Sequence, residues 1–202
     1  LYDNNDIAPF KNILNDMYSK DLSRKVKAAK RSRNQKGLYT AAQVPYGYKK
    51  DPDRKGHLII DPDAAAVVQE IYSLFLAGTG KQGICRTLNE RGVPNPTEYK
   101  RLHGMVRNKH AQSSPLWSYF TITNILTNEV YIGNMIQGKS GVVSYKNQEK
   151  VAYPQEQWIV VKGTHAPIID QKTWDRVQAL IAEKATPAQK EPEGMFARKV
   201  RC

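Results

Sequence analysis

The side chains best suited to chemistry in this chain are hydrogen-bonding groups and cations, and what they could do together is hold a polyanion. From Trp117 to Gly133 the sequence runs WSYFTITNILTNEVYIG. Trp117, Ile122, Ile125 and Leu126 fall on one side at helical spacing, so that side faces a core. Ser118 is a good N-cap, and Tyr119, Thr121, Thr123 and Asn124 fall largely elsewhere on the wheel. Those side chains hydrogen-bond to base edges and phosphates, which makes this stretch a candidate recognition helix. A short amphipathic helix with a polar outer face has the same pattern.

A second set is purely cationic. Lys20, Arg24, Lys27, Arg31, Arg33 and Lys36 belong to a run from Lys20 to Lys36 with eight Lys and Arg against one acid, Asp21, a local net of +7. Such a run repels itself in water, and duplex phosphates relieve the repulsion with counterion release. A solvated charged helix or a disordered basic tail also fits it. Tyr46 and Tyr48 beside Lys49 and Lys50 could stack on and pin a nucleic-acid backbone, although core tyrosines are commoner. Arg101, Arg107 and Lys109 lie in an aperiodic stretch, 97–116, whose charge suggests phosphate contacts, and Lys139 lies in a polar segment between two strands.

What is missing narrows the chemistry further. No hydroxyl has the base and orienting group that nucleophilic catalysis needs, so no catalytic residue is assigned. His103 and His110 have no cysteine or carboxylate cluster beside them, and the two cysteines, Cys85 and Cys202, make no four-ligand zinc pattern. Two cysteines also exclude a disulfide framework and fit a reducing cytoplasm. The formal net charge of +12 and isoelectric point near 9.6 point to nucleic acid, and the absence of a long apolar run argues against a membrane. An RNA-binding module lacks its aromatic platform here.

The elements that must position these groups follow from spacing. Phe10, Ile13, Leu14, Met17, Tyr18, Leu22 and Val26 predict a long helix that Gly37 stops, with an apolar first half that needs a partner. Pro45-Tyr46-Gly47-Tyr48 is a turn, and His57 to Ile60 is a strand. Asp61 as an acidic cap before Pro62 starts a helix whose buried face is Val67, Val68, Ile71, Leu74 and Phe75, ended by Gly78. Thr79 to about Arg91 is a second helix with Ile84, Cys85 and Leu88 inward, followed by a rigid connector at Val93-Pro94-Asn95-Pro96. Tyr131 to Gln137 and Trp158 to Val161 are strands, and Trp174, Val177, Leu180 and Ile181 mark a last helix. From Ala185 the composition is that of a linker.

The ordered set PYGY, DPDAAAVVQEIYSLFLAG, ICRTLNERGVPNP, W-S-x5-IL-x-N-x2-YIGN and WIVVKGTHAPIID resembles the recombinase domain of the large serine recombinases, which include phage integrases and mobile-element transposases. DIAPFKNILNDMYSKDLSRKV resembles the long helix that leaves their catalytic domain. The resemblance implies an α+β fold: a long N-terminal helix, then a mixed domain with a helix-turn-helix-like core and a small antiparallel sheet. It implies three parts: the helix (1–37), the DNA-binding domain (38–184) and a linker (185–202) toward a zinc ribbon that would begin at Cys202. It also implies recognition of attachment or transposon-end sites on double-stranded DNA. Arg24, Lys27, Arg31, Arg33 and Lys36 fall on the family's DNA-crossing helix, and Ser118, Tyr119, Thr121, Thr123 and Asn124 on the helix after its Trp-Ser. The implied partners are a catalytic domain in the same polypeptide, a second copy on DNA and a tetramer at synapsis. No cofactor is expected in this chain and zinc is expected in the parent, which would be DNA-associated in a bacterial or phage-infected cytoplasm. The family's nucleophilic serine would precede Leu1, so this chain is expected to bind DNA without cutting it. A free-standing helix-turn-helix regulator is the alternative.

Overall fold

The computed structural model describes residues 8–105 and 114–185. A 28-residue helix, α1 (Ala8–Gln35), is followed by strands β1 (Tyr48–Lys50) and β2 (Leu58–Ile60). Helices α2 (Pro62–Leu76), α3 (Lys81–Glu90), α4 (Pro96–Leu102) and α5 (Tyr119–Leu126) come next. Strand β3 (Met135–Gln137), the hairpin β4 (Ser140–Val142) and β5 (Lys150–Ala152), strand β6 (Ile159–Val161) and helix α6 (Gln171–Ala185) complete the order. The fold is α+β. Its strands are antiparallel and the sheets small, as expected from sequence: among the described residues they make three pairs, β1 with β2, β3 with β6 and β4 with β5.

The core lies where α2, α3, α5 and α6 meet. Helix α2 buries Ala64, Ala65, Val68, Ile71, Tyr72 and Phe75, an i, i+3, i+4, i+7 stripe. Ile84, Cys85 and Leu88 of α3, Ile122, Ile125 and Leu126 of α5, and Trp174 and Val177 of α6 close around it. Tyrosines bind the layers together. The Tyr72 hydroxyl donates to the Ile125 carbonyl at 3.0 Å, and the Tyr48 hydroxyl lies 3.2 and 3.1 Å from the carbonyls of Val130 and Ala166. His165 packs edge-on against the Tyr48 ring and donates from Nε2 to the Val130 carbonyl at 2.7 Å, which leaves Nδ1 to accept from the Thr164 hydroxyl.

Three local expectations are corrected. Asp61 stands at the N-cap of α2, but its carboxylate makes no capping bond; it is buried and accepts from the Tyr99 hydroxyl at 2.9 Å. The stretch after the proline connector is helical, not loop, over Pro96–Leu102: the Asn95 side chain accepts from the backbone N–H groups of Thr97 and Glu98, and Pro96 needs no donor at the first position. The segment after α5 opens with a 3-10 turn (Glu129–Ile132) capped by Asn128, so the strand expected from Tyr131 begins only at Met135.

The end of α1 is built into the domain. Gly37 has φ +70°, its N–H bonds to the Asn34 carbonyl, and the Leu38 N–H reaches back to the Arg33 carbonyl. A Cβ on Gly37 would lie 2.6 Å from Thr164 Cγ2 and 3.1 Å from Val161 Cγ1. Buried Asn34 and Gln137 each place a side-chain oxygen 2.9 Å from the Thr40 hydroxyl, and Gln137 Nε2 donates to the Leu38 carbonyl at 2.8 Å.

Gly37→Ala combines a left-handed backbone with a clash against the β-branched side chains of Thr164 and Val161, so it is expected to destabilise the chain by about 2–4 kcal/mol in chemical denaturation. Burial holds the His165 imidazole below its ordinary value of 6.5. Between the two values the unfolded chain takes up a proton that the folded chain resists, so stability from this group is intact above about pH 6.5 and falls as the pH drops below it. The stability advantage of the wild type over His165→Gln is therefore expected to shrink from pH 7.5 to pH 5.5 in thermal melts.

Candidate nucleic-acid interface

Helix α5 is held by its inner face and its ends. The Trp117 N–H donates to Asn89 Oδ1 at 2.8 Å, Asn89 Nδ2 returns a bond to the Trp117 carbonyl, and the Trp117 indole N–H donates to the Val93 carbonyl at 2.9 Å. Asn95 Nδ2 contacts the carbonyls of Ser114 and Leu116, each at 2.8 Å, and so fixes the chain that enters the helix. Gln178 Nε2 donates to the Leu126 carbonyl at 2.7 Å and satisfies the other end.

The outer face differs from what residue types alone suggest. Ser118 Oγ accepts the Thr121 N–H at 3.2 Å and lies 2.9 Å from the Thr121 hydroxyl. The Thr123 hydroxyl donates to the Tyr119 carbonyl at 2.9 Å, and the Thr127 hydroxyl donates to the Thr123 carbonyl at 2.8 Å. The hydroxyls of this face therefore serve the helix itself. Asn124 is exposed and has no hydrogen-bond partner among the described residues, which leaves its amide available for a base edge. Phe120, which sequence reasoning passed over, is 72% exposed and is the most exposed large apolar side chain among the described residues. Tyr119 beside it is exposed, with the Lys81 ammonium 5.2 Å from its ring centroid. Arg86 and Lys184 line the hollows on either side of Tyr119.

The basic half of α1 and the residue that follows it offer the charge. Lys20, Arg24, Arg31, Arg33 and Lys36 are exposed, and none is in an ion pair among the described residues. Lys25 pairs with Asp21 at 2.7 Å, an exposed pair that does little for either. Lys27 turns to the hairpin and donates to the Val142 carbonyl at 3.3 Å. Further along, the Asp16 carboxylate receives Lys146 Nζ at 2.7 Å and the Tyr145 hydroxyl; Lys146 and then Tyr145 hold it below the usual carboxylate range. The first half of α1 exposes Phe10, Ile13, Leu14, Met17, Tyr18, Leu22 and Val26.

Other expected contact residues are placed elsewhere. Tyr46 and Tyr48 are core side chains, each 5% exposed, and cannot stack on a nucleic acid. Tyr46 packs edge-on against Tyr99 and Trp117, and desolvation pushes the pKa of both hydroxyls upward. Arg101 is exposed and forks onto Glu98 at 2.9 and 2.6 Å, a local pair at i, i+3. Lys139 is exposed, with its ammonium 4.9 Å from the Trp158 ring centroid. Arg107, Lys109, His110 and Cys202 lie outside the described residues. Among the described residues no group of three or more His, Cys, Asp and Glu could hold a metal, and Cys85 is a buried free thiol. The missed signal for Phe120 was its position four residues before Asn124, on the outward stripe.

The sequence matches the Recombinase family over residues 62–184. The fold resembles that of a crystallised LSR–DNA complex, with a TM-score of 0.53 and 20% identity over 85% of this chain and 42% of that one. It also resembles a structure solved for the sequence requirements of the Listeria innocua prophage attP site, with a TM-score of 0.51 and 19% identity over 85% of this chain and 58% of that one. The chain thus spans about half the length of these two solved structures. At such identity the likeness is one of fold.

Proposed function

The chain belongs to the Recombinase family of the large serine recombinases, and from that premise we propose that it is their DNA-binding region, which recognises attachment or transposon-end sites for strand exchange. The observation that carries this proposal is the basic half of α1 and the residue that follows it, where Lys20, Arg24, Arg31, Arg33 and Lys36 are exposed and outside any ion pair among the described residues. A cationic rod of this kind is stabilised by a duplex backbone, and α5 adds an outward amide and aromatic rings for base edges. One structure of the same fold was solved as a DNA complex and another for the sequence requirements of a prophage attP site, and both support the choice of double-stranded DNA.

The remaining parts follow from the same proposal. The apolar first half of α1 would be covered by the catalytic domain of the parent polypeptide, which would supply the serine that cleaves DNA. Two copies would sit on one site and four would meet at synapsis. Zinc would belong to the parent beyond Cys202, and the working location would be the DNA of a bacterial or phage-infected cytoplasm.

Binding to duplex DNA is expected to weaken steeply with salt. If those five exposed cations each neutralise one phosphate, the log–log slope is about −4.5, at about −0.9 per phosphate. A fluorescence anisotropy titration at several salt concentrations measures it, and a flat response would overturn the proposal. Asn124→Ala is expected to cost about 1–3 kcal/mol on a preferred site and little on random duplex, while Arg31→Ala weakens both by similar factors. Competition assays with both DNAs separate the two effects.

A further inference from the structure

We propose that Phe120 is a specificity-determining residue that reads the 5-methyl group of thymine in the major groove. The inference rests on the DNA-binding role proposed above and deepens it by naming the feature of the site that α5 recognises.

The geometry carries it. Phe120, Asn124 and Thr127 are spaced four and three residues apart, so they form one stripe, and all three are exposed. The buried residues Ile122, Ile125 and Leu126 occupy the opposite side of the same helix. A duplex that meets α5 from solvent therefore meets this stripe. Its chemistry is mostly apolar: the Thr127 hydroxyl is bonded back to the Thr123 carbonyl, and that of Thr123 to the Tyr119 carbonyl. A threonine bonded in this way directs its oxygen to its own helix and leaves its methyl for a partner. The stripe thus offers an aromatic ring and a threonine methyl around a single amide, that of Asn124.

Of the groups on major-groove base edges, the thymine methyl is the apolar one, and Phe and the Thr methyl are side chains that contact it. The cations beside the neighbouring Tyr119 complement DNA rather than an apolar partner. Lys81 lies over the adjacent Tyr119 ring, and Arg86 and Lys184 line the hollows flanking it, a set of cations within reach of backbone phosphates. The cations frame the Tyr119 ring, one residue from Phe120, and an apolar side chain beside cations suits a groove whose floor carries methyls and whose rims carry phosphates.

The test starts from random DNA. Duplexes preferred by the whole chain are enriched from a randomised library, and each thymine of the enriched site is replaced in turn by deoxyuridine, which removes only the methyl. Replacement at one or two positions is expected to weaken wild-type binding about fourfold, the scale of losing one buried methylene-sized group. Phe120→Ala is expected to bind the thymine and uracil forms equally at those positions, with an unchanged salt slope; Phe120→Leu keeps part of the preference. Asn124→Ala should retain the thymine preference and lose discrimination elsewhere. If uracil is neutral at every position in the wild type, or if Phe120→Ala keeps the thymine-to-uracil ratio, the inference is overturned while site-specific binding stands. Failure to enrich any sequence would overturn the DNA-reading role and this inference with it.

Discussion

The orientation of the long helix depends on one residue without a side chain. Gly37 takes a left-handed conformation in space that a Cβ would share with Thr164 and Val161, and the Asn34–Thr40–Gln137 contacts close over it. The second attachment of α1 is to the hairpin, through Lys27 with the Val142 carbonyl and Asp16 with Lys146 and Tyr145, and its far end is 21 residues away, about 30 Å of helix at ~1.5 Å per residue. The two attachments are unequal. The glycine joint is packed and hydrogen-bonded, whereas an ion pair in solvent contributes little. The basic half of α1 lies between the joint and that far end, so its direction is set mainly at the glycine end and only lightly tethered by the hairpin.

The same economy of regular structure explains the tyrosines. Three strand pairs of three residues each, with turns between, leave many backbone carbonyls that no ladder satisfies. Tyrosine supplies both a large apolar body and a donor at its tip. Tyr48 reaches Val130 and Ala166, Tyr72 reaches Ile125, and Tyr99 reaches the buried carboxylate of Asp61. Burial raises the pKa of the Tyr99 hydroxyl to about 12, so it remains a donor at any physiological pH. Tyr48, which by type and neighbouring charge suggested a nucleic-acid contact, is therefore one of the pins of the core, and Tyr46 packs within it.

Where sequence was legible, spacing and punctuation agreed. Asp61-Pro62 and an apolar stripe located α2, and Trp117-Ser118 followed by Ile122, Ile125 and Leu126 located α5 with its buried face. Helix α4 was not legible because its seven residues bury only Tyr99, too little for a period to emerge. Strands of three residues cannot display alternation, so pairing into separate ribbons could not be distinguished from one sheet. At the interface, residue type revealed which side chains could hydrogen-bond but not which had already done so. Thr121 and Thr123 were equal to Asn124 on the wheel, and their side-chain bonds and partial burial separate them from it.

That separation bears on how such a region could discriminate between sequences. A face whose hydroxyls are all directed at bases would gain by hydrogen bonds, and a mismatched base would leave buried donors and acceptors unpaired. With the threonine hydroxyls bonded to their own helix, most of the outward stripe of α5 has no polar group to strand. A wrong base then costs a lost apolar contact rather than a desolvated donor, a smaller and more graded penalty. Asn124 remains as the one position on the stripe where a mismatch would be costly. On the proposed reading, tolerance is therefore built into α5 around a single strict contact, and affinity is left to the cations of α1. The apolar first half of that helix lies on the same rigid rod as its cationic half, so whatever covers the one is held in fixed register with whatever neutralises the other.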